Sequence, residues 1–167
     1  MSRLISKEEW VESLTTKEQI EALLIVFRAT VNEVLASFEG PGSTSRARVG
    51  DWGAWEMLCH FIRWHEATIE GMESVARGGG IYVVREPTHE ENARVIAQHR
   101  GESFIQLSSQ LRALHKRLEG AARKLTDPDV DVIRFFEGVS ASARTRLERI
   151  PRHWAEHMAV LQNREPQ

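Results

Sequence analysis

Apolar residues recur along this chain at spacings of three and four, the period of a helix that turns one face toward a core. Ile20, Leu23, Leu24, Phe27, Val31, Val34, Leu35 and Phe38 form the clearest stripe, enough for a long helix of about five turns. Two capping boxes precede it, Ser6-Lys7-Glu8-Glu9 and Thr15-Thr16-Lys17-Glu18, so a short leading helix is expected to feed the long one. Turn residues from Gly40 to Ser45 end it. A second helix is expected from about Trp52 to Ala76. Its apolar residues, among them Trp55, Met57, Leu58, Phe61, Ile62, Trp64, Ile69 and Met72, are too many for one face. Such a helix lies in a bundle interior or also covers a dimer surface.

The stretch Arg77 to Pro87 lacks the Lys-Ser or Lys-Thr that a phosphate loop needs after its glycines, and reads as a connector. Extended at about 3.3 Å per residue it spans roughly 35 Å, so it can cross over the bundle. Tyr82 and its neighbours give it some strand character. Thr88-His89-Glu90-Glu91 is a third capping box, and a stripe from Val95 through Phe104, Leu107, Leu111, Leu114 and Leu118 to Leu125 predicts one long third helix, bent at Gly101. Thr126-Asp127-Pro128-Asp129 stops it. The apolar run Val130 to Phe136 fits helix or strand. A last helix follows Ser140 or Ser142 and either contains Pro151 or opens its functional part there. The expected fold is all-α, a four-helix bundle in one domain over residues 1–167, with 1–5 and 164–167 frayed.

Composition narrows the function classes. With 167 residues and a formal net charge of -2, the chain lacks the basic excess of a nucleic-acid binder. No apolar run approaches the roughly 20 residues of a membrane span, and the N-terminus turns charged at Lys7 without a signal-peptide core. A cytoplasmic protein without nucleic-acid or membrane partners is expected. The single cysteine, Cys59, permits no internal disulfide. It reads as a small core residue.

The chain has seven histidines. His153 and His157 lie four apart in the last helix, a separation at which two rings reach one ion. Apolar Ile150, Trp154, Met158 and Val160 surround them. By itself such a pair is more often a surface or hydrogen-bonded core pair. His153-Trp154-Ala155-Glu156-His157 also fits the H-x-x-E-H signature of inverted zinc proteases, but that pattern takes its third ligand far downstream, and only ten residues follow His157. His60 is set among aromatic and aliphatic residues of the second helix. His65 lies about 140° around that helix from His60 and cannot share its ion; His89, His99 and His115 read as surface or outer residues.

Trp52 near a helix start, His60, Trp64, the pair His153 and His157, and Asn92 early in the third helix together resemble the DinB/YfiT-like metalloenzyme family. The resemblance spans the length and helix order of the chain. It implies a four-helix bundle of DinB/YfiT type, with a short extra N-terminal helix and a crossover between the second and third helices. It also implies one divalent metal held by His60, His153 and His157. Three imidazoles leave a coordination position open, as in catalytic sites, and suit Zn, Ni or Fe. Some members are transferases or isomerases that use low-molecular-weight thiols, and others are suspected hydrolases. The first expectation is therefore a metal-dependent hydrolase or thiol transferase acting on a small molecule, with Glu56 or Glu156 as a carboxylate that orients a ligand and the Arg77 to Pro87 connector covering the mouth. The alternative is a non-catalytic protein that sequesters a small molecule, like the protective DfsB-type branch. A metal-free bundle with satisfied core histidines is the third. A homodimer is the expected assembly.

Overall fold

The computed structural model describes residues 14–163. The leading helix expected after Ser6 lies outside the described residues. Helix α1 (Thr16–Phe38) starts on the capping box at Thr15, whose hydroxyl accepts from the Glu18 N–H while the Glu18 carboxylate accepts from the Thr15 N–H at 2.8 Å. Its stripe from Ile20 to Phe38 is buried. A 3-10 turn (Pro41–Thr44) follows. Helix α2 (Ala54–Ala76) begins two residues later than expected, because Gly53 is its N-cap and Trp52 is held in a bridge to Val49.

The interior position expected for α2 is observed: residues from Met57 to His65 are buried without a break. Helices α1, α4 (Phe104–Ala122) and α5 (Ala143–Leu161) pack around the core with it as the four long members of the bundle. The apolar surplus that suggested a dimer surface is thus covered within one chain. Phe27, Phe38, Phe61 and Trp154 are fully buried, and Trp154 stacks on Phe61 with ring centroids 4.2 Å apart. Each such side chain contributes roughly 1.5–3 kcal/mol by leaving water.

The single long third helix does not form. It is divided into α3 (Thr88–Gln98) and α4 (Phe104–Ala122). Gly101 has φ of +95°, a conformation that ends a helix, and Ser103 restarts one through a capping box with Gln106. The capping box expected at Thr88 is also absent, and Pro87 precedes the helix without a side-chain cap. Glu91, the residue that would close that box, turns inward, where its carboxylate lies 2.9 Å from Arg63 Nε on α2. Both side chains are nearly inaccessible, at 6% and 7% exposure. Arg63 also donates to the Tyr82 hydroxyl at 2.6 Å, and Arg94 pairs with Glu91 from the outer side. This buried pair pins the short α3 to α2.

The connector contains strand β1 (Tyr82–Val83), which runs parallel to β2 (Asp131–Arg134); β2 pairs antiparallel with β3 (Ser140–Ser142). The ambiguous run after Val130 is therefore a strand. Ser142 caps α5 by accepting from the Thr145 N–H at 3.1 Å, and Pro151 lies inside that helix. No helix among the described residues is long and apolar enough to cross a membrane.

The small sheet lies directly on α2 at Gly71. A Cβ placed there would stand 2.0 Å from the Val132 carbonyl oxygen. Helix propensity alone favours alanine over glycine by about 1 kcal/mol, yet Gly71→Ala is expected to destabilise the protein by about 1–3 kcal/mol because β2 must move. Urea unfolding measures it; an unchanged or raised midpoint would show that the sheet yields freely.

Candidate metal centre

His60 is on the buried face of α2, two turns after the Gly53 cap, whereas His153 and His157 are on successive turns of α5 beyond Pro151. The bundle brings them together. One ligating nitrogen from each lies within 4.8 Å of the others, and the Nε2 atoms of His153 and His157 are 2.8 Å apart. The His60 ring centroid stands 5.8 Å from both of theirs. His60 is buried, His157 is half-buried and His153 is open to solvent, so the cluster has a closed back and an accessible front.

Asn92 of α3 fixes the inner ring. Its Oδ1 accepts from the Trp64 indole N–H at 3.1 Å and faces His60 Nδ1 at 3.0 Å. An indole N–H can only donate, so the Asn92 atom is the carbonyl oxygen, and the His60 nitrogen facing the same oxygen must carry the proton. His60 Nε2 is left with its lone pair free, the form in which an imidazole binds a metal. Trp52 packs against the His60 ring and Phe61 stacks along His157.

The electrostatics keep the cluster neutral. Burial pushes His60 down to about 4 against the opposing bond to Asn92, and His157, His153 and Arg146 add to the effect. His157 also falls to about 4, through burial and then the charge of His153, with Glu156 opposing. His153 is lowered by burial, against the pull of Glu156. Ligands of a tetrahedral ion with bonds of about 2.0–2.1 Å stand roughly 3.3 Å apart. A set with one pair at 2.8 Å and all within 4.8 Å fits a metal with small side-chain adjustments.

The two carboxylates singled out in the sequence are placed differently. Glu56 is occupied at the start of α2, where it accepts from the Gly53 N–H at 3.0 Å. Glu156 lies 4.0 Å from His153 Nδ1 and is largely exposed. Cys59 is buried in the core, and burial pushes its thiol up to about 12, so it supplies no thiolate at neutral pH. The connector pairs with β2; the aromatic wall against Trp64 is Phe135, its ring 5.6 Å away.

Two features escaped the sequence reading. His115 is buried, not peripheral: its Nδ1 faces His65 Nε2 at 3.2 Å on the far side of α2, with Phe27 edge-on to both rings. A polar residue on the stripe side of α4, between Leu111 and Leu118, was the available signal. Arg146, one turn before Ile150 on α5, is anchored on Thr68 of α2, a contact between residues too far apart in sequence to be read from it.

The chain matches no protein-family model, and no curated protein matches it in sequence. Its fold is similar to the crystal structure of the mycothiol-dependent maleylpyruvate isomerase, with a TM-score of 0.67 and 15% identity over 89% of this chain and 63% of that one. A histidine-to-alanine mutant of that enzyme gives a TM-score of 0.70 at 15% identity, over the same 89% and 63%. This chain thus spans 63% of the length of that isomerase. The likeness establishes the fold class, an all-α helical bundle.

The buried pair gives a pH signature. Burial lowers both histidines from the usual 6.5, His65 strongly and with help from His115 and Arg146, and His115 against the pull of Glu119. Below about pH 6.5 the unfolded chain takes up protons that the folded state refuses, so stability falls as pH drops through that value. In chelator-treated protein the slope contributed by each neutral histidine is up to about 1.4 kcal/mol per pH unit. Urea unfolding at pH 7, 6 and 5 should show a steeper loss for the wild type than for His65→Leu/His115→Leu; equal slopes would place the acid sensitivity elsewhere.

Proposed function

We propose that this protein is a metal-dependent enzyme in which His60, His153 and His157 hold one divalent ion and a low-molecular-weight thiol serves as the reactive group on a small molecule, in a transfer or isomerisation. The observation that carries this reading is the convergence of three neutral imidazoles from two helices on one point, the inner ring oriented by Asn92 and Trp64. A divalent ion held there supplies Lewis acidity that keeps a thiol deprotonated near neutral pH. The protein's own thiol is buried and protonated, so the sulfur has to come from a cosubstrate. The structurally similar isomerase is named as mycothiol-dependent, which favours a thiol over water as the nucleophile.

The residues divide the work. His153 and His157 form the accessible side of the centre, where a cosubstrate can enter. His60 closes the back, and the Asn92 oxygen holds its Nδ1 proton so that Nε2 stays a ligand. Phe61, Trp52 and Trp64 wall the inner ring with apolar surface, which excludes water from that side. A carboxylate base over the centre would favour hydrolysis. Glu56 is engaged in capping and Glu156 is largely exposed, so the thiol reading is preferred.

Elemental analysis of the purified protein is expected to find about one divalent ion per chain, lost in His157→Ala. Asn92→Ala is expected to weaken binding about 10–100-fold with all three ligands intact. Stripping the metal should lower the thermal midpoint and abolish any thiol-dependent turnover. Full occupancy in His157→Ala would remove the proposal.

A further inference from the structure

Arg146 is half-buried and has no carboxylate partner among the described residues. Its Nε and one terminal nitrogen both donate to the Thr68 hydroxyl, at 3.1 and 3.0 Å, and Thr68 in turn donates to the Trp64 carbonyl at 2.7 Å. The guanidinium also lies over the Phe135 ring, 5.4 Å from its centre. A guanidinium has five N–H donors in a planar fork. Two are used on Thr68, and the nitrogens that carry the rest are not among the fully enclosed unpaired atoms. The anchor is therefore complete on one edge of the fork and open on the other.

Arg146 shares its helix with two residues of the histidine centre. It precedes His153 by seven residues on α5, two helical turns, so both side chains leave the same side of that helix. Through Thr68 it is fastened to the turn of α2 that carries Trp64, whose indole shares the Asn92 oxygen with His60. Its charge is felt at both His60 and His153. The charged residue acting on it is Arg149, of the same sign. A structural strut could be built from a neutral side chain at this position, whereas a half-buried cation without a counter-ion gives up part of its hydration with no charge to offset the loss. A bound anion supplies the missing charge.

We propose that Arg146 is the docking point for a carboxylate of the small molecule handled at the histidine centre, held through the open edge of its guanidinium fork. This rests on the function proposed above and adds to it a substrate class, carboxylate-bearing small molecules. Two helical turns separate Arg146 from His153 along the axis, about 10 Å. That interval suits a short chain with an acid at one end and its reacting carbon at the other. Thr68 and Phe135 hold the fork in place before the ligand arrives, which limits the entropy lost on binding.

The test uses maleate as a probe, with binding followed by calorimetry on the full chain, zinc-loaded and zinc-free. Maleate is expected to bind both forms. Arg146→Met is expected to raise Kd about tenfold or more in each, and Arg146→Lys by less, since it keeps the charge without the fork. Dimethyl maleate should show no dependence on residue 146. Equal maleate binding by wild type and Arg146→Met, no maleate binding at millimolar concentration, or loss of diester binding in parallel with the dianion would each overturn the proposal. If Arg146→Met does not fold, Arg146→Lys and Arg146→Gln provide the same comparison. The zinc-free arm separates the two ideas: a chain that takes up no metal yet binds maleate through Arg146 refutes the metal centre alone, while a metal-loaded chain indifferent to residue 146 refutes only the carboxylate site.

Discussion

The carboxamide oxygen of Asn92 accepts from two donors at once, the indole of Trp64 and the inner imidazole of His60. That shared acceptor decides which nitrogen of His60 is free, and therefore whether the three rings can act as one ligand set. A buried amide can do this only if its backbone is held firmly. Here the preceding residue, Glu91, is fixed in a buried ion pair with Arg63. Breaking such a pair leaves an uncompensated charge in the core and typically costs about 3–5 kcal/mol. Two adjacent residues of α3 thus do different things to the same helix: one docks it, the other orients a ring.

Helix α2 carries more polar burial than a bundle core usually tolerates, with His60, Arg63, His65 and Thr68 all buried within three turns. Each faces a different neighbour. His60 meets Asn92, Arg63 meets Glu91, His65 meets His115 and Thr68 meets Arg146. Polar groups of this kind are stable only when their partners are in place. The arrangement specifies where α3, α4 and α5 lie against α2, besides providing the chemistry of the candidate centre. Around it the aromatic rings of Phe27, Phe61 and Trp154 supply the apolar burial that offsets the desolvation.

Much of this was legible in the sequence. The stripe of α1, the interior character of α2 and a last helix after Ser140 or Ser142 follow from periodicity and capping, which are local properties. The triad His60, His153 and His157 could be named from two helices and a resemblance, and the structure brings those residues together. The third helix was misjudged because its stripe continues across Gly101: apolar period persists where backbone conformation does not. The capping box at Thr88 failed for a related reason. Glu91 had a stronger electrostatic partner waiting on another helix, and tertiary pairing outweighed a local cap of about 1 kcal/mol.

By itself, the sequence determined the helical class, the capped start of α1 and the four-residue spacing of His153 and His157 on one helix, because each of these depends on residues within a few positions of one another. Tertiary structure alone decided the tautomer of His60, the burial of His115 and the anchoring of Arg146 on Thr68. Those outcomes depend on contacts between residues tens of positions apart. Such contacts are set by how whole helices pack, and no short-range pattern encodes them.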